Sequence, residues 1–493
     1  KKEIIDKAFN FHSQGNISEA VKYYQYFLKL GFSDPRVFSN YGVILKQAGQ
    51  TEKAIELYKK SIDLFPNISD AYSNLGNLLK DLGRLKDAEV YLRKAIKIKP
   101  DFADAYNNLG SILKDTGNLK DAEKNTLMAI KLKPNFVEAH LNIGGIFYNL
   151  GKFHEAEIYT RKAIELNPAL AEAHCNLGNI LGDLGKSNEA EISTRRAIEL
   201  VPNYAEAHYN LGNILKNLGK NEEARNHWIK AVTLKPELDK PVRSLAMYLC
   251  FSNEYELALK YLKKNKSDSC QSLYLGCLLS LDKENEFIKK YNELIDKKVC
   301  NAEVGGIVEH ANIIYEKNLK SPFCNEAKNF VHWDKIDEEL FSNHHLKELI
   351  DYFKESDVGK RSQGLLSQGM QTSGNLFTLN FPFINKLRVA LENKIDFYKK
   401  KFENSNQGLI TNWPKHYELR SWMISMRTGG FLKQHNHEYG WITGSFYLQV
   451  PKYLNNQNAG SIAFSYQGPQ YPTKNKRFNL SIKNVNVRDI CIF

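Results

Sequence analysis

The chain has 493 residues and no apolar run approaching the roughly 18 to 20 residues that a membrane-spanning helix requires. No membrane partner is expected from it. There is no arginine-rich block and no basic stripe interleaved with aromatics, although the net charge is +12. The positive residues are mostly lysines on stretches that also carry Glu and Asp, so no nucleic-acid partner is expected. The seven cysteines (Cys175, Cys250, Cys270, Cys277, Cys300, Cys324 and Cys491) are odd in number, widely spaced and form no CxxC. That excludes a disulfide scaffold or a zinc ribbon and predicts a cytoplasmic protein with reduced thiols. The chain opens Lys-Lys-Glu without Met and stops at Ile-Cys-Ile-Phe, so both ends read as cuts.

What is present is periodicity. Gly42, Gly76, Gly110, Gly144, Gly178 and Gly212 recur every 34 residues, as do Ala20, Ala54, Ala88, Ala122, Ala156, Ala190 and Ala224. Pro66, Pro100, Pro134, Pro168, Pro202 and Pro236 make a third series. A fixed period of 34 with small residues and proline at these phases is the signature of tetratricopeptide (TPR) repeats, each a pair of antiparallel helices. Seven units begin at Lys1, Pro35, Ser69, Ala103, Val137, Ala171 and Ala205. Gly83 and its equivalents fall in the turn between helices A and B, and the prolines stop helix B. Large residues such as Tyr58, Tyr91, Tyr159 and Trp228 are expected to fill gaps to neighbouring repeats.

The register then decays. An eighth unit runs from Asp239, a weaker ninth from Ser269, and helical patterning continues to about Lys317. Degenerate units are expected where a solenoid must shield its end from water. Past Ser321-Pro322-Phe323-Cys324 the composition shifts. Amphipathic helices are predicted over Glu338 to Phe353 and Pro382 to Phe402, and strands over 418–426, 443–450 and 461–466. The division is therefore 1–238 for seven TPR repeats, 239–319 for degenerate TPR-like helices, and 320–493 for a separate domain with helices first and an antiparallel sheet after them.

Position 6 of successive repeats is Asn40, Asn74, Asn108, Asn142, Asn176 and Asn210. A carboxamide offers an acceptor and two donors, so each can bond both ways to the backbone of an extended peptide. Six in phase form a ladder that grips main chain and reads little sequence; a single Asn would more simply satisfy contacts within or between repeats. At ~0.5–1.5 kcal/mol net per hydrogen bond, affinities of about a micromolar are expected. Lines such as Ala205-Glu-Ala-His-Tyr-Asn-Leu-Gly-Asn-Ile-Leu resemble the TPR region of O-linked N-acetylglucosamine transferase, where such a ladder holds the substrate peptide. The resemblance implies a protein or peptide partner along the concave TPR groove. It covers only the solenoid, since nothing like a glycosyltransferase domain follows.

The chemically dense stretch is Gly429-Gly-Phe-Leu-Lys-Gln-His435-Asn-His437-Glu438, continuing through Tyr447 to Pro451. On a strand, His435 and His437 share a face and can converge on one metal. The plainer alternative is a pair of surface histidines in a loop. The context favours the metal: Gln363-Gly-Leu-Leu, Gln371-Thr-Ser-Gly-Asn-Leu-Phe, Trp413-Pro, the His435-to-Pro451 block and Arg488-Asp-Ile-Cys-Ile-Phe493 together resemble the 2-oxoglutarate/Fe(II) oxygenases found fused to TPR solenoids. That resemblance implies a double-stranded β-helix (jelly roll), Fe(II) and 2-oxoglutarate as cofactor and cosubstrate, and hydroxylation as the outcome. It implies His435 and His437 as metal ligands; Tyr447, on the strand after them, is either a donor to the 2-oxoglutarate carboxylate or an ordinary sheet aromatic.

The chain departs from the family at its expected metal carboxylate, at position 488 and at its C-terminal end. Position 437 is His where most of the wider superfamily has Asp or Glu. Glu438 falls on the opposite strand face. Arg488 stands where relatives usually have Gly. No His follows His437, so the third iron ligand and the cosubstrate arginine are expected beyond Phe493. The fold class read from the sequence is an α-helical TPR superhelical solenoid followed by an α+β jelly-roll domain truncated at its C-terminus. The function expected is peptide binding coupled to Fe(II)- and 2-oxoglutarate-dependent hydroxylation. The alternative is a TPR interaction scaffold whose oxygenase-like domain is inactive.

Overall fold

The computed structural model describes all residues of the chain except 326, 356–359, 362–365, 373–375, 379–380, 415–416, 418, 433–441, 451–460, 465–470, 472, 475 and 477–480. It divides into two compact units, Lys1–Asn176 and Leu177–Phe493.

The first unit is built of helix pairs: α1 (Lys2–Ser13) with α2 (Ile17–Lys29), α3 (Pro35–Gln47) with α4 (Thr51–Leu64), α5 (Ser69–Asp81) with α6 (Leu85–Ile98), α7 (Ala103–Asp115) with α8 (Leu119–Leu132), and α9 (Val137–Asn149) with α10 (Phe153–Leu166). The boundary at residue 176 falls inside α11 (Ala171–Asp183). From the second repeat on, each first helix begins at the residue where the 34-residue register places it. Local chemistry sets the ends. Asp34 caps α3 by accepting from the Arg36 amide at 3.0 Å, and Pro35 takes the first helical position, where no amide donor is needed. Gly83 carries φ +72° in the turn after α5. Helix α6 stops at Ile98, two residues before Pro100. His140 in turn reaches back 2.7 Å to the Pro134 carbonyl and ties the turn to the next helix.

Each pair packs on the next, and successive first helices also touch, α3 on α5, α5 on α7 and α7 on α9. Ala54, Ala88, Ala122 and Ala156 are fully buried on the second helices. The glycine at position 8 serves a different purpose: it makes room for a side chain of its own repeat. A Cβ at Gly42 would lie 2.4 Å from the Tyr58 ring, and one at Gly110 would lie 2.1 Å from Thr126 Oγ1. Tyr58 thus plugs its own repeat. Tyr91 and Tyr159 likewise meet rings of their own repeats, Tyr72 and His140.

The second unit continues with α12 (Ser187–Leu200), α13 (Ala205–Asn217), α14 (Asn221–Leu234), α15 (Asp239–Phe251), α16 (Tyr255–Leu262), α17 (Asp268–Ser280), α18 (Glu284–Asp296) and α19 (Ala302–Tyr315). Over the stretch expected to hold the eighth and ninth units, α15 is followed by α16 and α17 by α18. A core running from Leu211 through Trp228, Leu245, Leu275 and Phe287 to Tyr315 holds them. Buried Arg243 and Glu303, 3.0 Å apart, join α15 to α19.

Strands and helices are then interspersed: β1 (His332–Lys335), α20 (Asn343–Glu355), β2 (Lys360–Arg361), β3 (Leu366–Thr372), α21 (Pro382–Lys401), α22 (Gly408–Thr411), β4 (Ile424–Leu432), β5 (Gly444–Phe446), β6 (Ser461–Phe464), β7 (Ser481–Asn484) and β8 (Asp489–Ile492). The described strands form three antiparallel groups, β1-β8-β5, β2-β3-β4 and β6-β7. Two expectations are corrected. Strands precede and separate the helices rather than following them, because β1 is completed by β8, its partner from the far end of the chain (His332 opposite Ile492). The strand expected over 418–426 instead begins at Ile424. Before it, Thr372 Oγ1 accepts from the Met423 amide at 2.9 Å, so a side chain replaces a ladder carbonyl there. Phe341, Phe353, Ile384, Tyr398, Ile490 and Ile492 form the core between α20, α21 and the sheet.

Candidate functional site

Two sites are in question. The first is the row of Asn side chains on the first helix of each repeat. Asn40, Asn74, Asn108, Asn142 and Asn176 lie in the first unit and Asn210 in the second, and all six are half-buried. They are not alike in their bonding. Asn40 bonds the Tyr24 hydroxyl, and the Asn142 amide donates to Asn107 Oδ1 at 2.8 Å. Asn74, Asn108 and Asn176 have no side-chain hydrogen-bond partner among the described residues. A half-buried carboxamide without a protein partner keeps its donors and acceptor for water or for a ligand backbone. Beside them Lys80 donates to Ser111 Oγ at 2.7 Å and Lys46 pairs with Asp81 at 2.6 Å, both linking a repeat to the next.

The second site is the His segment. His435, His437 and Glu438 lie outside the described residues, as do Gln363 and most of its motif. Among the described residues no group of three or more His, Cys, Asp or Glu could hold a metal ion. What the structure does place is the frame around that segment. Strand β4 ends at Leu432, three residues before His435, with Leu432 opposite Leu366 of β3. On the other side β5 leads into Tyr447, whose amide donates to the Asp489 carbonyl at 3.1 Å and whose carbonyl accepts from the Arg488 amide at 2.8 Å. Both backbone bonds fix the residue against the turn before β8. Burial pushes the Tyr447 phenol up to about 12, with Cys491 and Asp489 adding and a bond to Ser445 opposing. It is a neutral hydroxyl at pH 7, a donor fit for a carboxylate.

Arg488 takes φ +72°, a backbone conformation that favours glycine. Its guanidinium lies 2.9 Å from Glu338 and donates to Asn343 Oδ1 at 2.7 Å, which ties this turn to α20. The sequence reading also passed over a buried cluster on β1. His332 accepts from Lys401 at 3.0 Å through Nδ1, and Asp334 pairs with Lys394 at 2.8 Å. Burial and Lys401 depress the His332 pKa, so the ring is neutral, and its Nε2 has no partner within hydrogen-bonding distance. The His-x-Asp spacing on one strand face was the available signal. Two ammonium groups beside it disfavour a metal cation.

The helix pairs, their 34-residue register and the glycine–plug contacts define a helical-repeat protein of the TPR class. Family models agree: tetratricopeptide models match residues 42–83, 69–102, 91–124, 137–170, 159–192 and 194–226. Residues 420–493 match the family described as "Putative 2OG-Fe(II) oxygenase". The chain thus carries TPR repeats followed by a C-terminal domain of that oxygenase family. The motifs from Gln363 to Trp413 lie outside the matched stretch. No curated protein matches the chain. Among solved structures it is similar to YrrB, titled a TPR protein with an unusual peptide-binding site (24% identity, TM-score 0.32, covering 38% of this chain and 96% of that one). It is also similar to PilF of Pseudomonas aeruginosa (20%, 0.39, 45% and 97%) and to a chain of the APC/C hetero-tetramer Cut9–Hcn1 (17%, 0.44, 53% and 52%). Among the described residues no helix is long and apolar enough to cross a membrane.

Proposed function

We propose that the repeats hold an extended peptide or protein along their Asn-bearing helix faces, and that the C-terminal domain hydroxylates it with Fe(II) and 2-oxoglutarate. The observation that carries this reading is that one chain joins unpartnered, in-phase carboxamides to a stretch matching the oxygenase family. The division of labour follows the repeat register: 1–238 for capture, 239–319 as the helical connection, and 320–493 as the catalytic domain, a jelly roll in a cytoplasmic protein. His435 and His437 would hold the metal. Tyr447, held by its backbone and neutral, would donate to the 2-oxoglutarate carboxylate. Bound Fe(II) and 2-oxoglutarate would supply oxygen activation coupled to oxidative decarboxylation.

The test separates the two halves. Succinate formation from 2-oxoglutarate is measured with Fe(II) added, for the wild-type chain and for His435→Ala/His437→Ala. Capture of peptides from a random library is measured for the wild type and for Asn74→Ala/Asn108→Ala. The reading expects the His variant to abolish succinate formation and the Asn variant to weaken capture about tenfold while uncoupled turnover persists. Metal-independent or absent turnover in a folded chain would make this a binding scaffold instead. Unchanged capture by the Asn variant would remove the ladder.

A further inference from the structure

In the complete repeats the glycine at position 8 of the first helix receives a side chain from its own second helix, sixteen residues later. The pairs run Gly42 with Tyr58, Gly76 with Leu92, Gly110 with Thr126, Gly144 with Thr160, Gly178 with Thr194 and Gly212 with Trp228. Gly276 on α17 is the corresponding glycine of the ninth unit, and there the pattern breaks. Sixteen residues on stands Asn292, which is exposed. The position is filled instead by Tyr471, whose hydroxyl lies 2.8 Å from where a Gly276 Cβ would be, with Ile307 of α19 at 3.4 Å.

Tyr471 belongs to the connection between β6 and β7, inside the stretch that matches the oxygenase family. It is only 8% exposed and is part of the same core as Leu275, Cys277 and Val308. Its ring meets fully buried His310 of α19 edge-on, with centroids 5.2 Å apart. Two charged contacts flank it. Lys474 pairs with Asp282 just past α17 at 2.5 Å and sits 5.1 Å over the Tyr315 ring. Lys476 pairs with Glu316 at the end of α19. A tyrosine buries one of the largest apolar surfaces available to a single side chain, and the flanking pairs fix its register more than they add strength.

We infer that Tyr471 is a latch: the connection between β6 and β7 uses the empty glycine socket of the ninth repeat to fasten the oxygenase-matched domain to the end of the helical array. A ligand that shifts α17 against α19 then acts on the β6–β7 connection, because Tyr471 lies on that connection and packs in the core of α17 and α19. The inference stands on these contacts and is independent of the peptide and hydroxylase readings.

Amide hydrogen exchange on the full chain tests it from both sides. Tyr471→Ala removes the plug and Gly276→Val fills the socket. Each is expected to speed exchange of the β6 and β7 amides about tenfold, with the amides of α5 to α8 unchanged. The informative arm is Gly276→Val, since it alters a hairpin far along the sequence without touching it. Wild-type exchange in β6 and β7 in either variant would overturn the latch. If Gly276→Val unfolds α15 to α19, the pair Lys474→Ala/Lys476→Ala takes its place. That pair is expected to give a smaller acceleration confined to the hairpin, and no acceleration there would count against the latch.

Discussion

His208 and His227 meet across α13 and α14 with their Nδ1 atoms 2.9 Å apart and their rings stacked at 5.2 Å. His208 Nε2 lies 3.1 Å from the Pro202 carbonyl and so carries its proton, which leaves His208 Nδ1 to accept from His227 Nδ1–H. The contact therefore requires His208 to be neutral. Burial pushes His227 down to about 4, aided by His208 and Arg195 and opposed by Glu223. Burial also lowers His208, with Lys230 adding to the effect and the bond to Pro202 opposing.

A pH dependence follows. In the unfolded chain each imidazole takes a proton near pH 6.5, whereas folded His227 resists it until about pH 4. Between those values the unfolded state binds more protons, so stability is full above about 6.5 and falls as pH drops toward 4. With His227 only half-buried, the effect is on the order of 1–2 kcal/mol. Urea midpoints at pH 7.5, 6 and 5 should decline in the wild type and lose much of that decline in His227→Gln. Parallel slopes for the two proteins would refute the assignment.

The glycine–plug contact predicts an unusual sign for a helix substitution. Ala in place of Gly212 should gain about 1 kcal/mol of helix propensity. Its Cβ would lie 2.5 Å from the Trp228 indole, which is almost fully buried and donates to Asn213 Oδ1 at 3.1 Å. Overpacking against a rigid ring costs ~1–3 kcal/mol, so Gly212→Ala is expected to be destabilising on balance. Denaturant unfolding measures it, and a more stable variant would show that the indole swings aside at no cost.

Arg243 and Glu303 are 5% and 10% exposed, and the Arg243 guanidinium also donates to the Ser269 carbonyl. Arg243→Met strands a buried carboxylate and is expected to cost ~3–5 kcal/mol. Arg243→Met/Glu303→Leu, which removes both charges, should recover most of that loss. Thermal melting of the three proteins is the check: equal losses in the single and double variants would mean that the bond to Ser269 matters more than the ion pair.

Thiol titration offers a simple test of the packing. Cys300 is half-buried and the other six cysteines are buried; Cys270 and Cys491 are fully so, and Cys250 and Cys277 lie with their sulfurs 3.3 Å apart. An aromatic disulfide reagent in native buffer should modify one thiol rapidly, and the remaining six only after denaturation. Cys300→Ser should lose the fast equivalent. Several fast thiols in the native wild type would show that the helical core opens readily.

The repeat part of this protein was legible because its information is local. A helix pair needs small residues at Gly110 and Ala122, a turn glycine at Gly117 and a stop at Pro134, all within one period, and seven copies make the register unmistakable. The weak ninth unit was found for the same reason, through Leu275 and Gly276. Of the large aromatics, Trp228 meets Tyr248 of the next unit as expected, while Tyr58, Tyr91 and Tyr159 meet groups of their own repeats, because a side chain's length does not say which side of its helix it packs on. The site was less legible. Six Asn residues in phase marked a face, but only the packing separates Asn74 and Asn108 from Asn40 and Asn142, which spend their amides on Tyr24 and Asn107. The metal-ligand assignment to His435 and His437 concerns residues outside those the structure describes.

What the sequence by itself determined is where helices start, turn and stop over the repeats, because those signals act within a few residues of each other. Only the tertiary structure decided the pairings between distant segments: β1 with β8, Arg488 with Glu338, and Tyr471 with the Gly276 socket. The physical reason is chain separation. A strand of four residues such as His332–Lys335 has too little pattern to name its partner, and an empty glycine socket fits any suitable side chain until folding brings one to it.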